Sequence, residues 1–179
     1  MRFITIPGAW LLLAAILNTV PAGVATATPQ KKEYLSEAEA DKIREAGLTG
    51  PRIVLFATFA SARIKKLHYE FAHFDPADQK RAERLNGLIN SYTGCIDDAA
   101  DLIDIGIEKQ QDIRDGVKAM QAGIKEFLPY LQDLAMNGLE RETYKENLDD
   151  AIEATQDAAK EVEKASKEMS SSPERRKPS

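Results

Sequence analysis

From Ile53 to Met169 the apolar residues of this chain return every three or four positions, and Val, Thr and the aromatics never gather into the every-second-residue runs that a sheet requires. An α-helix brings positions i, i+3, i+4 and i+7 to one face, whereas a strand brings i, i+2 and i+4, so the spacing dictates helices. One stripe runs through Ile53, Phe56, Ala60, Ile64, Leu67, Phe71 and Phe74, widened by Leu55 and Phe59, with Arg63, Lys65 and Lys66 expected on the opposite side. A second runs through Leu85, Leu88, Tyr92, Ile96, Ala99, Leu102 and Gly106, and a third through Ile113, Val117, Met120, Ile124, Phe127 and Leu131. The last runs through Tyr144, Leu148, Ile152, Thr155, Ala159, Val162, Ser166 and Met169, a narrow seam of small side chains. The expected fold is all-α: an elongated antiparallel bundle of three to five amphipathic helices with coiled-coil-like packing.

Local signals place the helix ends. Ser36-Glu37-Ala38-Glu39 is a capping box, so a short helix starts there and Gly47 closes it. Thr49-Gly50-Pro51 restarts the chain with Pro51 expected at the first helical position. Pro76 disfavours helical geometry at Asp75, which predicts a break, with Asp75 capping a new helix whose first turn carries Asp78. Between Glu108 and Asp112 two readings stay open. Either one helix of roughly 60 residues, about 90 Å long, runs through the gap, or the chain turns there. Pro129 should kink or interrupt its helix near Leu128, and Asn137-Gly138 is a stop signal.

The ends of the chain read differently from its middle. Arg2, the apolar run Ala9 to Leu17 and Ala25-Thr26-Ala27 make residues 1–27 a signal peptide cleaved before Thr28. The run is about half the roughly 20 residues a membrane-spanning helix needs, and no Cys follows it as a lipid anchor would require. Residues 28–35 are expected to be a flexible segment, 36–169 the helical bundle and 170–179 a disordered tail rich in Ser, Pro and basic residues. The localisation implied is export to the periplasm or beyond the cell. Removing Arg2 leaves 29 acidic side chains against 23 basic ones, an excess that argues against a nucleic-acid partner and against an amphipathic membrane binder.

No catalytic, cofactor-binding or metal-ligating residue is assigned, and no cofactor is expected. The single cysteine, Cys95, lies in an apolar stripe and reads as a small buried hydrophobe. Asp97-Asp98-Ala99-Ala100-Asp101, extended by Asp104, matches the D-D-x-x-D pattern that terpene synthases use for magnesium, but a domain this small lacks their closed pocket and second motif. It reads as a solvated acidic stripe facing the Lys and Arg side of the Ile53–Phe74 helix. His68 and His73 are five residues apart, about 140 degrees around a helix, and Glu70-x-x-His73 is a lone copy of a motif that di-iron bundles need twice. With no Gly-rich phosphate loop and no nucleophile elbow, the chain does not read as an enzyme.

Phe59-Ala60-Ser61-Ala62-Arg63-Ile64, with Leu148-Asp149-Asp150-Ala151-Ile152-Glu153-Ala154-Thr155 later, resembles a pattern in poorly characterised bacterial exported helical domains. The resemblance implies an envelope or secreted protein and transfers no site residue. The L-T-x-x-Q motif of periplasmic helical chaperones is missing. The expected function is a non-enzymatic interaction or structural module of the cell envelope that binds a protein partner, or itself, through helix seams. The alternative is a periplasmic bundle holding a small molecule or metal near Phe56, Phe59, Phe71 and the histidine pair.

Overall fold

A computed structural model describes residues 33–171. The expected signal peptide, the first part of the segment expected to be flexible and the part of the expected tail beyond Ser171 lie outside the described residues. Five helices make up the rest: α1 (Glu37–Glu45), α2 (Thr49–Ala72), α3 (Arg81–Glu108), α4 (Arg114–Asn137) and α5 (Lys145–Ser171), with a single 3₁₀ turn at Arg141–Thr143. No strand occurs among the described residues, and the fold is the expected all-α bundle.

Alternating direction along the sequence does not make every spatial neighbour antiparallel. Around the bundle, α2 packs on α3 and α4, and α5 packs on α3 and α4. Pairs that touch between α3 and α5 keep a nearly constant separation, as in Tyr92–Thr155 and Asp104–Lys164, so these two helices run parallel. The same holds for α2 and α4 through Thr49–Gln111 and His68–Tyr130. Helices α3 and α4 therefore stand diagonally, and their side chains meet across the core, where Tyr92 and Phe127 pack edge to face at 5.7 Å.

The open question at Glu108 to Asp112 resolves as a turn. Gln110 takes φ 52°, the Gln111 amide donates to the Gly106 carbonyl at 2.8 Å, and the Gln110 amide donates to Ile107 at 3.0 Å. This pair of bonds is a Schellman closure, which glycine usually serves because it bears the left-handed conformation without cost. Here glutamine carries it. Ile113, just past the turn, is buried against Gly106, which leaves room for it by having no Cβ. The apolar phase survives the gap because Ile113 faces the same core from the other side of the turn.

Three boundaries differ from the sequence expectation. Helix α2 begins at Thr49, so Pro51 sits within the first turn, where its missing N–H still has no intrahelical acceptor to lose. Asp75 does not cap a helix at Pro76. Its Oδ1 instead accepts from the Ala77 amide at 2.9 Å, Asp78 repeats the turn onto Lys80 at 3.0 Å, and α3 waits until Arg81. Helix α4 runs uninterrupted through Pro129, which lies on the solvent side. The Ser36–Glu39 capping box, Gly47 at φ 64° and the stop at Gly138 are as read from the sequence.

The core follows the stripes with small rotations. Ile89 and Ile103 are fully buried where Leu88 and Leu102 were expected, and Ala151, Ala158 and Ala165 replace Ile152, Ala159 and Ser166. Arg63 was expected among the solvent-side cations with Lys65 and Lys66, but it is 8 % exposed. Small residues let neighbours close in. A Cβ on Gly50 would stand 2.7 Å from the Asp112 carbonyl oxygen, a backbone atom that cannot swing away, whereas one on Gly87 would meet nothing within 4 Å. Gly50→Ala should therefore destabilise the fold by about 1–3 kcal/mol, and Gly87→Ala should stabilise it by about 0.5–1 kcal/mol. Urea unfolding followed by circular dichroism checks both; equal midpoints for the two variants would contradict this packing.

Candidate functional site

The residues with the most chemical potential are spread over the bundle and engaged in local contacts. Cys95 is fully buried in the core between Tyr92 and Ile96 on the inner face of α3. Asp97 and Asp101 face α5, not α2, and with Ala100, Ala154, Asp157 and Glu161 they line an open groove of about 370 Å³. Burial first, then the charges of Asp101 and Asp157, raise the Asp97 carboxyl above its ordinary range. Asp104, one turn beyond Asp101, continues the stripe toward Glu161 and Lys164. It pairs with Lys164 at 2.9 Å, and that hydrogen bond lowers its pKa. Among the described residues no three of His, Cys, Asp and Glu are disposed to hold a metal ion.

The histidines separate as their spacing requires. His68 stacks on Tyr130 of α4 at 3.8 Å, while His73 stacks on Tyr69 at 4.0 Å with Nδ1 2.9 Å from the Tyr69 carbonyl oxygen. Glu70 turns away from both. Its carboxylate takes the Arg84 guanidinium at 2.8 Å and lies 3.8 Å from Arg81, and the Arg84 hydrogen bond holds its pKa below the usual range. The aromatic group near Phe56 and Phe59 is spent on packing: both are buried, 6.5 Å apart and edge to face. Phe71 pairs with Tyr144 at 5.6 Å.

Two buried arginines organise the polar chemistry that sequence reading missed. Arg81, 3 % exposed, donates from Nε to Glu140 at 3.1 Å and from Nη1 to the Glu70 carbonyl, and its guanidinium lies about 5 Å from the rings of Phe71 and Phe74. It thereby ties the end of α2, the start of α3 and the α4–α5 connection. Arg63, in the middle of α2, ties the segment that precedes α2 to the bundle. Nη1 and Nη2 donate to the two oxygens of Glu39 at 2.5 and 2.8 Å, and Nη2 also donates to the Tyr34 carbonyl at 3.2 Å. The signal was present: Arg63 follows Phe59 by four residues and Arg81 precedes Leu85 by four, so each shares a buried face.

Of the six large apolar side chains exposed among the described residues, Leu48 before α2 and Ile105 near the end of α3 stand apart, and the other four lie near one end of the bundle. Tyr69 (62 % exposed) and Phe74 (41 %) close α2, and Met136 (70 %) and Leu139 (54 %) close α4, its parallel neighbour. The α2–α4 register that sets His68 beside Tyr130 brings Ala72, the last residue of α2, level with Leu134, one turn short of the end of α4. An open groove of about 490 Å³ between α2 and α3, lined by Lys65, Lys66, Tyr69, Arg84 and Leu88, borders the same end. No helix among the described residues is long and apolar enough to cross a membrane. In comparison with known proteins, the chain matches no family model, no curated protein and no solved structure.

The Arg63 guanidinium, helped by the Ser36 amide and hydroxyl, holds the Glu39 carboxyl down at about 2, against an ordinary 4.5. A depressed folded-state pKa contributes stability that is present above the unfolded value and is lost as pH falls toward the folded one. With discount for partial exposure, Glu39→Gln should cost on the order of 1–2 kcal/mol at pH 7. The gap between wild type and variant should narrow below pH 4.5 and close near pH 2 in urea titrations. A gap that is constant with pH would mean that the pair does not carry this linkage.

Proposed function

We propose that the protein is a non-enzymatic helical-bundle module of the cell envelope or the extracellular space, acting by binding protein, a second copy of itself first among the partners. Export is the reading carried by the positive start, apolar run and Ala-Thr-Ala site of residues 1–27. The observation that supports an interaction role is that four of the six large apolar side chains exposed among the described residues, Tyr69, Phe74, Met136 and Leu139, lie near the same end of the bundle. Single exposed apolar residues are ordinary on any surface, but four large ones near the ends of two adjacent helices concentrate apolar surface there, and such concentrations mark interaction sites.

The acids and bases favour the same reading. Catalytic groups need pKa values near the working pH, whereas Glu39, Glu70, Asp78 and Asp112 are held lower by arginine partners and stay ionised; Asp97, raised by burial and by the charges of Asp101 and Asp157, is the exception.

Sedimentation velocity over a range of concentrations tests the proposal. The expected result is reversible association that Met136→Glu with Leu139→Glu weakens by about tenfold or more, with an unchanged helical spectrum. A wild type that remains monomeric at the highest concentration would overturn self-association through this end.

A further inference from the structure

The segment that precedes α2 is attached to the bundle differently from everything else. No residue of α1 is buried, and only the sides of Ala40 and Ile43 rest against the core. Leu35 is the one fully tucked apolar residue of the segment, and the Tyr34 ring lies flat enough on α3 that a Cβ on Gly94 would come within 2.7 Å of it. Against this thin apolar contact stands one strong polar anchor. Arg63 reaches out from α2 and sends hydrogen bonds to both Glu39 oxygens and to the Tyr34 carbonyl, so most of its acceptors belong to the segment. The same Glu39 carboxylate accepts from the Ser36 amide at 2.9 Å, which makes the helix cap and the anchor a single unit. Gly47 at φ 64° then turns the chain from α1 into α2.

A segment with little buried apolar surface and one polar tie opens at lower free energy than the core it lies on. We propose that residues 33–46 form a strap that opens as a unit while α2 to α5 stay folded, with Arg63–Glu39 as its latch. The strap shields the Gly94–Cys95 side of the α2–α3 seam, since the Tyr34 ring covers Gly94, the chain neighbour of Cys95 on α3. Opening leaves Arg63 hydrated at the surface and bares the path to the thiol.

Because Cys95 is the only cysteine in the sequence, the full chain carries its own reporter. The rate at which a maleimide alkylates it measures how often the shield is away. Glu39→Gln keeps a side chain able to cap Ser36 and removes the charge that grips Arg63. The expected result is labelling accelerated by about tenfold or more, the size that follows loss of a hydrogen bond between charged groups, with the spectrum of the bundle intact. Leu131→Ala, in the core of α4 and remote from the strap, serves as the reference for whole-molecule unfolding. If its labelling rises less than that of Glu39→Gln although its urea midpoint falls further, the strap opens locally. If labelling in both variants simply tracks the urea midpoint, or Glu39→Gln labels no faster than wild type, the proposal is wrong.

Discussion

The reversal at Gln110 is the constraint on which the arrangement of this bundle depends. By closing α3 with a Schellman pair and setting Ile113 over Gly106, it sends α4 back through the molecule diagonally opposite α3. That placement leaves α4 beside α2 and running the same way. It also leaves the remaining corner, beside both α3 and α4, for α5. The close approach of Gly50 to the Asp112 carbonyl and the Thr49–Gln111 hydrogen bond lock the start of α2 onto this same turn. One short segment thus fixes which helices are neighbours. The buried Tyr92–Thr155 hydrogen bond at 2.7 Å then reads out the resulting α3–α5 register in the middle of the core.

Arginine rather than lysine occupies both buried cationic positions, and geometry explains the choice. A guanidinium can address several acceptors in one plane while its flat face rests on a ring. Arg81 uses that to join Glu140 and the Glu70 carbonyl with Phe71 and Phe74 nearby, and Arg63 uses it to hold both Glu39 oxygens with its guanidinium 5.8 Å from the Phe59 ring. Each charge is buried only because its partners arrive from separate segments. These ties therefore report assembly, since they exist only once the chain termini of several helices have met.

Helix identity was legible because it rests on local periodicity. Ile113, Val117, Met120, Ile124, Phe127 and Leu131 are all buried as their spacing demands. What sequence reading missed depends on contacts between distant segments. Nothing local distinguishes Gln110 from the glutamine beside it; its left-handed conformation belongs to the turn that closes on Gly106 and Ile107 and sets Ile113 over Gly106. Arg63 read as a solvent-side cation because Glu39 lies 24 residues away in sequence. Ile89 and Ile103 displaced Leu88 and Leu102 because α3 faces both α2 and α5, which rotates its buried arc away from a single-stripe reading. The Asp97–Asp101 stripe was recognised as surface but assigned to the wrong neighbour, since nothing in a linear stripe says which helix will stand opposite it.

The distribution of exposed apolar surface is where structure bears most directly on function. Folding drives apolar side chains inward at about 25 cal/mol per Å², and along α4 it does so from Ile113 through Leu134, leaving Met136 and Leu139 outside. Helix α4 stops at Gly138, whose missing Cβ makes room for the Tyr144 hydroxyl and the Leu134 carbonyl, and Tyr144 then donates to the Leu139 carbonyl at 2.8 Å. That bond directs the Leu139 backbone inward and its side chain is left out at the bundle end, beside the aromatic close of α2. The same local geometry that terminates α4 therefore creates the apolar end on which an interaction role rests.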